Sequence, residues 1–404
     1  MFDKLLEFEN SLRLNKSKNE ASSALTDDMI NEKYQKGEIR IVTEQARYPL
    51  NQIKEMMESS DYIMHPEFQR RLRWKRDKQS RLIESLIMNV PIPPIFLYEC
   101  EFSKYEVMDG LQRLTAIKEF YNDVYPLEGL ETWPELNGRF YSTLPEQIKK
   151  GIDRRYLSSV ILLKETAKSD VEALRMKQLV FARINSGGAK LEDQEYRNAQ
   201  VESQFNRLIT QLARNKYFCR IFDIPEPESS ERVLEGEISE DLKDCDFFSK
   251  MKDVETILRF FAIRARSQWT NETFSKFLDM YFFSMRDVPN DVLTDCYNLF
   301  NETIKLAYEI YGEKCFSLWR KQNSDDTYAW GKRATLLMYD CVMASLSYRL
   351  EHSNELVEKK DSIIEDTKRL FESNREKFNG RNTYKSILEV RIRLFDELFS
   401  KYHA

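Results

Sequence analysis

The sequence predicts an α+β fold, a mixed half built on a small sheet followed by a mainly helical half. Three observations carry this. Eight of the eleven prolines lie between Pro49 and Pro145 and none follows Pro289, so turns punctuate the first half while the last 115 residues can run as helices. Glycine is scarce, with eleven in 404 residues, well below its usual share. Apolar residues recur at helical spacing through the second half, whereas the first half also holds short strand-like runs.

In order, residues 1–38 are polar with a Ser/Asn/Lys-rich middle and read as an N-terminal extension, a short helix followed by a mobile arm. Residues 39–200 form the mixed domain. A strand is expected at Ile39–Thr43, then a helix at Leu50–Ser59 with Ile53, Met56 and Met57 on one face. Arg76–Asn89 carries Leu82, Ile83, Leu86 and Ile87 at helical spacing. Val90-Pro91-Ile92-Pro93-Pro94 stops that helix and leads into a strand at Ile95–Tyr98. A second strand, Lys104–Met108, breaks at Asp109-Gly110, and a helix runs from Gln112 through Leu114, Ile117 and Phe120. A strand at Ser159–Leu163 precedes a helix from about Asp170 to Asn185.

Residues 201–404 read as a helical domain. Helices are expected around Val254–Ala262, Phe274–Phe282, 291–311, 331–351, 354–378 and 383–402, with Gly312 as a C-terminal cap. The stretch 225–246 holds nine acidic and two basic residues and reads as an exposed loop or linker between the two parts.

Composition narrows the function. The net charge of −5 excludes a wholesale polyanion binder, so any contact with DNA must come from a local patch. No apolar run is long enough to span a membrane, and the charged N-terminus lacks a secretory core; the expectation is a cytoplasmic protein. The six cysteines, scattered without a C-x-x-C pair, read as small buried hydrophobes in a reducing compartment. Only His65, His352 and His403 are available for histidine chemistry.

Chemistry concentrates at Lys104-Tyr-Glu-Val-Met-Asp-Gly-Leu-Gln-Arg-Leu-Thr-Ala-Ile, which runs strand, glycine turn, helix. A helix start presents backbone N–H groups and the positive end of a dipole to an anion. Gly110 lets the backbone come close to a ligand. Arg113 brings a guanidinium able to grip phosphate by two hydrogen bonds, and Asp109 suits a divalent cation or a water. A random Asp-Gly turn before an amphipathic helix would look the same, so this signal is weak on its own.

Two further blocks accompany it. Pro66-Glu-Phe-Gln-Arg-Arg-Leu-Arg-Trp opens residues 61–83, which hold seven basic and three acidic side chains. A solvated helix face is the plain reading; a basic patch at 70–81 beside Trp74 is the functional one, suited to a base, a phosphate or a strand of DNA. Phe181-Ala-Arg-Ile-Asn-Ser-Gly-Gly, with Leu191 and Glu195-Tyr-Arg-Asn198, places Arg183, Asn185, Glu195, Arg197 and Asn198 around one turn, where they can line a shared pocket. Read plainly, Gly187-Gly188 is a helix cap.

In this order and spacing, P-E-F-Q-R, I-E-S-L-I-x-N-x-P-I-P-P-I-F-L, V-M-D-G-L-Q-R-L-T-A-I and F-x-R-I-N-S-G-G-x-x-L-x-x-x-E-x-R-N resemble the N-terminal domain of GmrSD-type restriction systems, known for a D-G-Q-Q-R motif. The resemblance covers residues 39–200. It implies a ParB/sulfiredoxin-like fold and nucleoside triphosphate binding or hydrolysis in defence against phage or modified foreign DNA, and Mg²⁺ is the expected cofactor. Matched position by position, the catalytic candidates are Asp109, Gln112 and Arg113. Gln69, Arg70, Gly110, Arg113, Arg183, Asn185 and Asn198 are the nucleotide-binding candidates, and Asp109 and Glu195 the metal ligands. Leu111 departs from the family pattern, either weakening hydrolysis or facing the core; since sulfiredoxin relatives hold a cysteine in that turn, it also excludes sulfinate repair. Besides the nucleotide, the implied partners are DNA through the 70–81 patch and a separate nuclease or effector chain, and the long C-terminal helices leave room for a homo-oligomer. A non-catalytic DNA- or partner-sensing module is the alternative, and direct nuclease action the second.

Overall fold

The computed structural model describes residues 2–12, 14, 31, 42–64, 74–163, 176–177, 179–181, 183–184, 193–194, 197, 203–233, 238–270, 272–321, 327–379 and 384–403. The chain divides into two units, Lys18–Leu191 and a second made of Met1–Ser17 with Glu192–Ala404. The fold is α+β, with a mixed five-stranded sheet in the first of these. Helix α1 (Asp3–Ser11), foreseen as part of an N-terminal extension, belongs to the second unit.

In the sheet unit, strands β1 (Thr43–Pro49), β2 (Tyr62–Ile63), β3 (Ile95–Glu101), β4 (Lys104–Asp109) and β5 (Tyr156–Leu163) lie in the order β1-β5-β3-β4-β2. The β1/β5 and β3/β4 pairs are antiparallel, while β3/β5 and β2/β4 are parallel. Central β3 supplies Ile95 and Leu97 to the core, both fully buried. Helices α2 (Ile53–Glu58), α3 (Arg76–Ile87), α4 (Leu111–Tyr121) and α5 (Glu146–Asp153) accompany the sheet. The spacing that predicted α3 and α4 is the spacing that buries them: Leu82, Ile83, Leu86 and Ile87 from one and Leu114, Ile117 and Phe120 from the other join a single cluster. Each such side chain contributes roughly 1.5–3 kcal/mol through lost water contact.

One boundary moves. The first strand runs from Thr43 to Pro49; of the strand expected at Ile39–Thr43, Thr43 belongs to it, Val42 does not, and residues 39–41 lie outside the described residues. The edge position explains this, because β1 pairs only with β5 and Thr43, Glu44 and Gln45 stay exposed. An edge strand needs no apolar run, so its sequence carries little signal.

The helical unit contains α6 (Gln204–Leu212), α7 (Lys216–Ile221), α8 (Glu240–Asp244), α9 (Asp246–Ser249), α10 (Lys252–Arg264), α11 (Phe274–Ser284), α12 (Asn290–Tyr311), α13 (Leu336–Leu346), α14 (Ser353–Glu358), α15 (Lys360–Ser373) and α16 (Lys385–Ser400). Helix α12 ends at Gly312, whose φ of +58° suits a residue without Cβ. Helix α1 is fixed to this unit by fully buried Leu5 and by Glu9, which accepts two hydrogen bonds from Arg264 at 2.8 and 2.9 Å.

Three expectations for this half are corrected. A hairpin of β6 (Trp319–Lys321) and β7 (Tyr328–Trp330) interrupts what the proline count suggested would be uninterrupted helix. The helix expected at 354–378 is broken at Lys359 and closes in a 3-10 turn, Arg375–Phe378. The acidic stretch falls inside the helical unit and includes α8, and its Glu231 is buried against Arg214, accepting from Nη2 at 2.8 Å. Cys219, Cys296, Cys315 and Cys341 are buried, and burial pushes the Cys219 thiol up to about 12, far from a reactive thiolate. Among the described residues no helix is long and apolar enough to cross a membrane.

Candidate functional site

Strand β4 delivers Asp109 to the edge of the core, and the chain then turns at Gly110 into α4. Gly110 has φ +103° and ψ 6°, a backbone state that residues with a Cβ rarely adopt. A Cβ there would also lie 2.4 Å from Ile95 Cγ2 and 3.1 Å from Arg113 Nη2. The close approach that glycine permits is thus to β3 and to the arginine. The first helical bond closes behind it, from Leu114 N–H to the Gly110 carbonyl at 3.0 Å. The helix dipole points its positive end at this turn.

Leu111 is buried in the core of the sheet unit. Of the two readings of this departure from the motif, the core-facing one describes where its side chain goes. Gln112, on the same first turn, is also buried.

Arg113 donates from Nη2 to Asp109 Oδ2 at 2.6 Å and to the Pro94 carbonyl at 3.1 Å. It therefore ties the end of β4 to the proline segment that enters β3. Its Nε is buried and has no hydrogen-bond partner among the described residues. Arg113 is 13% exposed and Asp109 35%, so the pair meets solvent through its carboxylate side. Sequence reasoning assigned the two residues complementary roles toward one ligand; the structure brings them together and makes each the other's partner. Their i, i+4 spacing across the helix start was the available signal for that contact. The Pro94 carbonyl left none.

The other assigned residues divide. Gln69, Arg70, Asn185, Glu195 and Asn198 lie outside the described residues. Arg183 is exposed and helical. Nearby in sequence, Lys177 donates to Glu106 Oε1 of β4 at 2.6 Å and lies 5.5 Å from the centre of the Tyr98 ring.

Arg197, read from sequence as able to line a shared pocket with its neighbours, is fully buried in the helical unit. Its Nε donates to Asp279 at 2.7 Å, Nη1 to Glu255 at 2.9 Å and to Gln194 at 3.2 Å, and Nη2 to the Ser275 carbonyl and hydroxyl. Two carboxylates, a carboxamide and a serine account for its donors, and it is a structural anchor. These partners come from α10 and α11 and the chain before α6, so local spacing could not have shown them.

In the basic patch, Arg76, Lys78 and Arg81 have partners, while Lys75 is exposed. Arg76 holds Glu119 at 2.6 Å, Arg81 holds Glu131 at 3.4 Å, and Lys78 Nζ sits 4.6 Å from the centre of the Trp74 ring. Among the described residues no group of three or more His, Cys, Asp or Glu side chains is arranged to hold a metal ion.

Residues 53–202 match the family model described as GmrSD restriction endonuclease, N-terminal domain. No curated protein and no solved structure matches the chain.

Proposed function

With residues 53–202 as a GmrSD restriction endonuclease N-terminal domain, we infer that the chain is the nucleotide-binding, and NTP-hydrolysing, component of a restriction-type defence system, with the Asp109–Arg113 turn as its phosphate subsite. The observation that supports this reading is Arg113 itself. A guanidinium with a buried Nε and no acceptor for it among the described residues stands beside a left-handed glycine at a helix start. An unsatisfied buried donor costs about 1–3 kcal/mol. A phosphate oxygen at Arg113 relieves that cost, lies at the positive end of the α4 dipole and competes with Asp109 for Nη2.

Once displaced, Asp109 is free to hold Mg²⁺ on the phosphates or to orient water. Mg²⁺ is commonly held by one or two carboxylates together with substrate phosphates, and a carboxylate one-third exposed beside the phosphate grip fits that pattern. Hydrolysis then rests on positioning and charge stabilisation, with Gln112 on the same turn. Gln69, Arg70, Arg183, Asn185 and Asn198 toward the nucleotide, and Glu195 toward the metal, complete the proposal. The DNA-groove alternative gains less support, because Arg76 and Arg81 already hold Glu119 and Glu131.

The test is a thermal-shift screen of the four ribonucleoside triphosphates with Mg²⁺. At least one raises the melting temperature by mass action. Arg113→Ala erases the shift of the sheet unit's ligand, while Asp109→Ala keeps binding and stops turnover. No shift with any nucleotide refutes the reading.

A further inference from the structure

A cavity of about 790 Å³ opens in the helical unit beneath the β6–β7 hairpin, and no residue assigned to the turn lines it. Its wall is drawn from the hairpin, α10, the start of α13, the end of α15 with the following 3-10 turn, and α16. Among the described residues that line it are five cations, Arg259, Arg320, Lys321, Arg375 and Arg391, and no aspartate or glutamate.

Arg391 gives the sharpest indication. It is only 4% exposed, and its guanidinium donates to the carbonyls of Lys377 and Asn379. Among the described residues it has no carboxylate partner, and burial pushes its pKa down from the ordinary arginine value. Arg259, also buried, spends its charge differently: Nε donates to Asp340 at 3.1 Å in a two-pronged pair. Arg320 and Arg375 are exposed at the mouth and have no carboxylate partner among the described residues. A buried cation with only neutral acceptors is costly, and an anion in the cavity would compensate it.

The rest of the wall is aromatic. Trp319 and Tyr328 stack across the hairpin at 6.3 Å with rings 21° apart, and Phe371 and Phe378 line the far side. The volume falls in the range of small-molecule sites, large enough for one nucleotide and too small for a folded partner. Guanidinium groups suit phosphate, and aromatic side chains suit a base.

We propose that this cavity binds a nucleoside phosphate, free or at the end of a strand, with Arg391, Arg320 and Arg375 on the phosphate and the hairpin aromatics beside the base. The site is separate from the Asp109–Arg113 turn and does not depend on the reading given to that turn.

In the chain carrying Arg113→Ala, or Arg113→Met should the alanine variant not fold, the turn's phosphate grip is removed from the experiment. That variant is titrated with ATP, GTP, adenosine, pyrophosphate and a 5′-phosphorylated tetranucleotide, followed by calorimetry and tryptophan emission. ATP, GTP or the phosphorylated strand is expected to bind once per chain and change the emission; which of them binds distinguishes the free nucleotide from the strand end. Adding Arg320→Glu and Arg375→Glu, both exposed, weakens that binding by about tenfold or more and leaves the ligand-free melting temperature unchanged. The proposal is overturned if none of the phosphorylated nucleosides binds at millimolar concentration, if the double charge reversal leaves affinity intact, or if adenosine or pyrophosphate alone binds as tightly as the nucleotide.

Discussion

Gly110 is where backbone geometry and packing make the same demand. A side chain there is strained by φ +103° and would collide with Ile95 at 2.4 Å. Ile95 is fully buried on central β3 and cannot yield cheaply. Gly110→Ala therefore loses about 2–6 kcal/mol, summing backbone strain of about 1–3 kcal/mol with overpacking of similar size. A denaturant titration measures it, and a loss under 1 kcal/mol would show that the turn relaxes easily. At this scale the sequence was informative about residue types and silent about partners. That Asp109, Gly110 and Arg113 act together follows from strand, turn and helix in succession. That Arg113 reaches the Pro94 carbonyl, nineteen positions back, depends on β3 and β4 lying side by side.

Among the elements, α3, α4 and α12 were legible because each buries one stripe at helical spacing, and a Pro or Gly marks an end. The β6–β7 hairpin was not, since strands of three residues are too short to show alternation. Arg197 was misjudged for a related reason: its carboxylate partners lie 58 and 82 residues downstream, on α10 and α11. Its burial leads to a firm expectation. Arg197→Ala leaves Glu255 and Asp279 without their shared cation and destabilises the helical unit by about 3–5 kcal/mol. Urea unfolding followed by helical ellipticity checks this; a change below 1 kcal/mol would mean that solvent already screens both carboxylates.

For the whole molecule, the sheet unit and the helical unit each have their own hydrophobic cluster, and the clusters share no residue. Two cores permit two unfolding steps. Calorimetric scans are expected to resolve at least two transitions, with Gly110→Ala lowering one and Arg197→Ala lowering the other; one transition moved equally by both variants would show a single cooperative unit. The division between a mixed and a helical part was legible in the spread of prolines. The return of α1 to the helical unit was not, because the Glu9–Arg264 pair spans 255 positions. The central claim, that a phosphate exchanges with Asp109 on Arg113, is tested most directly by titrating Mg²⁺ and nucleoside triphosphate into the chain carrying Arg320→Glu and Arg375→Glu, at concentrations below those at which the same chain with Arg391→Gln added changes its tryptophan emission, so that the response belongs to the turn. The account predicts saturable binding that disappears when Arg113→Ala is added; binding that survives the loss of Arg113 would contradict it.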